Sequence, residues 1–225
     1  GYNAPAYQTS HTDERSFNNV AGISVSSDGL KMFIKSGTTT LQEWTFTTAN
    51  DTSTKSATVP TFSLETGASR DCQISADGTK FYYLQGSGTT WYIKERHMST
   101  AYDVSTMSAV QNSHTLDSGY PYGLDITDDG IHVTLTHSRD SSSYAARIYY
   151  GTMSTAWDIS TLTMTTYLSV IQQKGYKLRG LSMANDGSVF WYSDQGNLRV
   201  YRVECSTPYD PTSGTYSGLW DTNYT

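Results

Sequence analysis

Charge is scarce in this chain. Only 16% of its 225 residues are Asp, Glu, Lys or Arg, and the formal net charge is −6. Recognition of nucleic acid or of an anionic membrane surface needs clustered Lys and Arg. The 15 basic residues here are scattered, so no nucleic-acid partner is expected. Long apolar runs are missing as well. Nothing approaches the roughly 20 residues needed to cross a bilayer, so no membrane insertion is expected. A signal-peptide pattern is also lacking, and the first residue is Gly1 rather than Met, which predicts a processed chain or an excised segment. No nucleophile elbow, phosphate loop, Cys-x-x-Cys or His-Glu-x-x-His is found, so neither a cofactor nor an enzymatic activity is predicted.

What the chain does have is hydroxyls, aromatic rings and turn formers. It carries 18 Tyr, 5 Trp, 6 Phe and 18 Gly. Tyr and Thr favour strands and Gly supplies turns, a balance that suits an all-β protein kept wet by hydroxyls instead of charges. At this length one all-β domain is the expectation.

The main signal is internal repetition. Asp-Gly pairs stand at Asp28-Gly29, Asp77-Gly78, Asp129-Gly130 and Asp186-Gly187, at intervals of 49, 52 and 57 residues. Each pair follows a short alternating segment: Gly22-Ile23-Ser24-Val25, Asp71-Cys72-Gln73-Ile74, Gly123-Leu124-Asp125-Ile126 and Gly180-Leu181-Ser182-Met183. Apolar residues at every second position mark strands. A second apolar stretch follows each Asp-Gly, which predicts a hairpin because Gly accepts positive φ. A second motif then recurs in register: Thr47 to Thr54, Ser99 to Thr106, Ser154 to Thr161 and Ser206 to Ser213. Its Asp and Ser/Thr residues favour turns capped by their own side chains. A further strand follows it, exemplified by Phe62-Ser63-Leu64 and Tyr167-Leu168-Ser169-Val170. Each unit is thus four antiparallel strands.

The pattern apolar-Ser-x-Asp-Gly-x-Lys-apolar followed by Ser-Thr-x-Tyr/Trp-Asp-x-Ser-Thr resembles the tandem β-propeller repeats of bacterial and phage surface or virion proteins. The resemblance covers nearly the whole chain and implies a fold, with no catalytic residues. Departures are Ser69-Arg70-Asp71-Cys72 in the second unit and Asn50 in place of the aromatic in the first. The predicted fold class is all-β, a β-propeller of four-stranded antiparallel blades with four repeats. It would be either a closed four-bladed ring or a segment of a larger propeller.

The predicted units are approximately 16–68, 69–119, 120–176 and 177–213, within a repeat region spanning 1–213. Residues 214–225 are left as a C-terminal strand or tail that could pair within or between subunits. Ala6 to Arg15 also resemble a fourth strand, with Ser10-His11-Thr12 matching Ser113-His114-Thr115. One outer strand is therefore surplus. Self-association or a larger assembly is the partner expectation, because a spare strand can complete a neighbour's sheet edge.

Cys72 and Cys205 fall on apolar positions of different units, which predicts two buried free thiols. The five histidines, His11, His97, His114, His132 and His137, show no metal-ligand spacing. Hairpin turns account for the Asp-Gly pairs, since a calcium loop needs more oxygens than they offer. Glycans are a second candidate partner. Tyr102, Trp157 and Tyr209 recur at one turn position and could stack on sugar rings. Asn50 and Asn223 each begin an N-glycosylation triplet. Asp71, Asp125, Arg70 and Arg179 lie at the inner strands and are expected to line a polar central channel. The leading functional expectation is a non-enzymatic extracellular or virion-associated structural or attachment protein that could form a fibre or larger particle through its spare strand. A lectin-like propeller and a channel-site hydrolase or lactonase are the alternatives.

Overall fold

The computed structural model describes residues 20–116, 120–138, 146–170 and 177–221. Sixteen strands in that set form four separate antiparallel sheets, each with its strands in sequence order. Blade 1 holds β1 (Val20–Val25), β2 (Lys31–Ser36), β3 (Thr40–Thr45) and β4 (Thr61–Ser63). Blade 2 holds β5 (Ala68–Ile74), β6 (Lys80–Ser87), β7 (Thr90–Met98) and β8 (Met107–Leu116). Blade 3 holds β9 (Tyr120–Ile126), β10 (His132–Ser138), β11 (Ala146–Met153) and β12 (Leu162–Val170). Blade 4 holds β13 (Leu178–Met183), β14 (Val189–Asp194), β15 (Arg199–Cys205) and β16 (Gly214–Asp221). The fold is a four-bladed β-propeller.

Both repeated motifs are local devices. At the Asp-Gly hairpins, Gly29, Gly78, Gly130 and Gly187 have φ of 68° to 71°. That is the left-handed region in which a Cβ is disfavoured. The preceding Asp of each pair accepts a backbone N–H two residues on, from Leu30, Thr79, Ile131 or Ser188. In the second motif, Asp51, Asp103, Asp158 and Asp210 cap one-turn 3-10 helices by accepting from the N–H of Ser53, Ser105, Ser160 and Thr212.

The residue before each capping Asp is also left-handed: Asn50 (φ 57°), Tyr102 (60°), Trp157 (59°) and Tyr209 (63°). For a non-glycine residue that conformation costs about 1–2 kcal/mol. Asn tolerates it best; the three aromatics hold it because each ring is clamped on the preceding blade.

The core lies between blades. Phe33 and Leu41 of blade 1 pack with Cys72, Ile74, Phe81 and Tyr83 of blade 2. Tyr82, Leu84 and Ile93 of blade 2 meet Leu124, Ile126 and Val133 of blade 3. Ala146 and Ile148 of blade 3 meet Leu178, Phe190, Tyr192 and Tyr201 of blade 4. Each seam thus hides one face of two sheets, and each large apolar side chain buried there contributes about 1.5–3 kcal/mol.

Inner strand packs beside inner strand at these three seams, β1 on β5, β5 on β9 and β9 on β13. Among the described residues that arrangement is not repeated between β13 and β1. Ile23 and Val25 are 53% and 43% exposed there, whereas Cys72, Ile74, Leu124 and Ile126 at the matching positions are at most 5% exposed.

Three sequence expectations need correction or placement. Of the C-terminal strand or tail expected at 214–225, Gly214–Asp221 forms a strand that pairs with β15 and completes blade 4 of its own chain. Blade 2 starts at Ala68, one residue before its predicted unit, blade 3 starts at Tyr120 as predicted, and blade 4 runs past 213 to Asp221. Cys72 is a buried free thiol, but Cys205 is only half-buried because it closes β15 at the rim. The candidate strand at 6–15 and Asn223 lie outside the described residues.

Candidate functional site

The four inner strands place matching residues at matching depths along the axis, because all four start their hairpins at the same point of the repeat. One level is formed by Ala21, Arg70, Tyr122 and Arg179, each preceding the glycine-level position of its strand. The Arg70 and Arg179 guanidinium carbons lie 3.3 and 3.7 Å from the Tyr122 ring centroid. The negative ring face offsets some of the repulsion between two cations held so close. Arg70 also lies over Trp91, at 4.4 Å, and donates to the Pro121 carbonyl. Arg179 donates to neutral acceptors: Gln195 Oε1, Ser138 Oγ and the Leu178 carbonyl.

One residue deeper, Gly22, Gly123 and Gly180 are matched in blade 2 by Asp71. Its Oδ1 accepts the Cys72 N–H and its Oδ2 accepts the Leu124 N–H of the next blade, both at 2.9 Å. Gly22 is obligatory opposite it, since a Cβ there would come within 2.6 Å of Asp71 Oδ1. Burial pushes the Asp71 carboxyl up to about 7, against the lowering pull of its two N–H donors and with help from the charge of Asp125.

Two residues deeper again stand Ser24, Gln73, Asp125 and Ser182. Three of these reach sideways to the next inner strand. Ser24 Oγ accepts the Ile74 N–H, Gln73 Oε1 accepts the Ile126 N–H, and Asp125 Oδ2 accepts the Met183 N–H. Burial raises Asp125 to about 6.

A cleft of about 310 Å³ opens on this axis, lined by Val20, Ala21, Gly22, Ile23, Asp71, Tyr122, Arg179 and Gly180. The structure therefore brings together Asp71 and Arg179, which the sequence placed at a channel, and adds Tyr122, which it did not. Tyr122 is one of 18 Tyr and sits in no motif. Only alignment of the four inner strands, with Tyr122 in the column of Arg70 and Arg179, would have pointed to it.

The three recurrent aromatics are elsewhere. Tyr102 stacks on Phe33 of blade 1 with centroids 6.4 Å apart, and its hydroxyl donates to the Ala76 carbonyl. Trp157 lies against Tyr82 of blade 2 at 5.9 Å, and Tyr209 stacks on His132 of blade 3 at 3.5 Å. All three are half-buried seam anchors, each ring lying against a residue of the preceding blade. Asn50 is exposed at the equivalent turn of blade 1. Among the described residues no cluster of His, Cys, Asp and Glu has metal-binding geometry.

Beneath the aromatics, a buried acid ties each of the first two seams. Glu43 Oε2 accepts the Val104 N–H, and Glu95 Oε2 accepts the Ile159 N–H. Lys31 and Lys80 pair with these acids and also donate to the carbonyls of Tyr102 and Trp157. At the third seam His132 and Tyr150 take the places of Lys and Glu, and they stack on Tyr209.

No protein-family model and no curated protein matches the chain. Solved structures do. A proposed 6-phosphogluconolactonase of Bacteroides fragilis matches with a TM-score of 0.56 at 13% identity, covering 92% of this chain and 55% of that one. The periplasmic gluconolactonase of Pseudomonas aeruginosa matches at 0.55 and 16%, covering 90% and 53%. The β-propeller domain of Cps50 from Myceliophteria thermophila matches at 0.54 and 10%, covering 90% and 58%. The chain spans about half the length of the structures it matches. These likenesses correct the functional expectation: several of the fold's neighbours are described as lactonases, which are enzymes, and nothing supports a structural, attachment or virion role. At such identities the similarity establishes the β-propeller fold.

Proposed function

We propose that the axial cleft is a hydrolytic site for a small, polyhydroxylated lactone. The observation that carries this reading is a carboxyl poised at about 7, Asp71, opening on the same cleft as Arg179 and Tyr122. A general base works best with a pKa near the operating pH. The cleft volume is at the lower end of the range for small-molecule sites. The lactonase descriptions of the fold's neighbours support the substrate class.

The chemistry follows from the placement. Ionised Asp71 takes a proton from a water, whose oxygen forms a bond to the lactone carbonyl carbon. The carbonyl π pair moves onto oxygen, where the Arg179 guanidinium stabilises the charge. The intermediate then collapses and the ring C–O bond breaks. The leaving alkoxide takes the proton back from Asp71, giving the open hydroxy acid. Tyr122 fixes both arginines through its ring.

Hydrolysis of glucono-δ-lactone and its 6-phosphate, followed by pH-stat, tests this. Activity should rise as pH passes through about 7, and Asp71→Asn should lower kcat by about 10²-fold or more. A rate no higher than spontaneous opening, or an Asp71→Asn variant at full rate, overturns it.

A further inference from the structure

A second groove, of about 420 Å³, shares no residue with the axial cleft. It runs between the 64–67 connection from blade 1 to blade 2 and the turn that joins β6 to β7. Thr66, Gln85, Ser87, Thr90, Tyr92 and Lys94 line it. Two of these six differ in kind from the matching residues of other blades.

Gln85 takes the place that Asp194 has in blade 4. There the carboxylate accepts the N–H groups of Lys177, Gly196 and Asn197, so the blade's own backbone uses it. Gln85 is used only by half. Its amide nitrogen donates to the Glu65 and Thr66 carbonyls. Its Oε1 accepts no hydrogen bond among the described residues, although Gln85 is only 4% exposed. A buried acceptor left without a donor is unfavourable, and a donor seated in the groove would relieve it.

Lys94 stands where blade 3 has Tyr149 and blade 4 has Tyr201. Tyr201 is buried in the third seam. A lysine stem is narrower than a ring and leaves the space beside it open. Among the described residues the Lys94 ammonium meets only Glu65, at 3.9 Å. Glu65 is already held by Arg96 at 2.8 Å and by the Tyr83 hydroxyl. Two cations therefore face one carboxylate, and the one at the groove keeps its charge uncompensated.

An unfilled acceptor and an uncompensated ammonium on one groove define what fits there. The ligand needs an anionic group for Lys94 and an O–H donor for Gln85. The hydroxyls of Thr66, Ser87 and Thr90, exposed along the rim, can both donate and accept, which suits further hydroxyls on the ligand. We propose that this groove binds a small polyhydroxylated carboxylate, its carboxylate on Lys94 and one hydroxyl donating to Gln85 Oε1. The site goes beyond the hydrolytic reading of the axial cleft and does not depend on it.

Amide NMR of the full chain titrated with sodium gluconate tests it. At about 10 mM gluconate, above a Kd of about 1 mM, the amides of Gly67, Gly86 and Ser87 should shift. Hexanoate, of the same length and charge without hydroxyls, and sorbitol, a polyol without the carboxylate, should each bind about tenfold more weakly or worse. Lys94→Met should weaken gluconate binding by about tenfold or more through loss of a charged hydrogen bond. The methionine keeps most of the apolar stem, so amides away from the groove should hold their positions. No shift, shifts confined to Gly22, Gly123 and Gly180 of the axis, equal binding of hexanoate, or an unchanged Lys94→Met titration overturns the proposal. Lactone turnover is not read here, so the axial reading stands or falls by its own assay.

Discussion

At the residue scale, the molecule depends on a few buried polar groups that join one blade to the next. Glu95 has no exposed side-chain surface, pairs with Lys80 and His97, and accepts the N–H of Ile159 in blade 3. Replacing it with Ala leaves that N–H without its acceptor and the Lys80 ammonium without its counter-ion, holding only the Trp157 carbonyl. Breaking a buried pair of this kind costs about 3–5 kcal/mol. Urea denaturation of Glu95→Ala should show a loss of that size, and the m-value should hold if the blades still unfold together. Arg202→Ala, at the same position in blade 4, should cost under about 1 kcal/mol, because its partner Glu204 is half-exposed and such pairs contribute little.

At the element scale, the inner strand carries both the fold and the candidate site, and its carboxyls give stability a pH dependence. Asp71 and Asp125 are raised from an ordinary 3.8 to about 7 and about 6, mainly by burial. A raised carboxyl stays protonated in the fold while the unfolded chain ionises. Its contribution is therefore fully present below pH 3.8 and is lost as pH climbs through 6 and 7. Each unit of pKa difference corresponds to roughly 1.4 kcal/mol. The unfolding free energy of the chain should fall between pH 4.5 and 7.5, and Asp71→Asn should remove about 2–4 kcal/mol of that fall. Equal slopes in the two proteins would show that Asp71 is not the titrating group.

Much of this element was readable beforehand. The Asp-Gly hairpins, the Asp-capped turns and Cys72 in the core all follow from local chemistry repeated four times. The seams did not follow, because they join residues far apart in sequence, such as Lys31 with Tyr102. The left-handed backbone of Tyr102, Trp157 and Tyr209 was equally hidden: aromatic side chains do not favour it, and only the preceding blade holds it. That clamp is why rings that read as exposed platforms are packing groups. Asp71 lines the cleft, as its position on the inner strand suggested, whereas Asp125 reaches sideways to the Met183 N–H; the raised pKa of each needed the exclusion of water by the neighbouring blades.

At the scale of the whole molecule, three repeated joints hold the four blades around one axial cleft. The seams differ in composition, from Lys–Glu pairs in the first two to the His132–Tyr150–Tyr209 stack in the third.

A stack in which every layer touches only its neighbours has weak outermost layers. Amide deuteration read by mass spectrometry should therefore be graded along the chain. Backbone hydrogens of β2 and β14 should exchange sooner than those of β6 and β10, which are flanked on both sides.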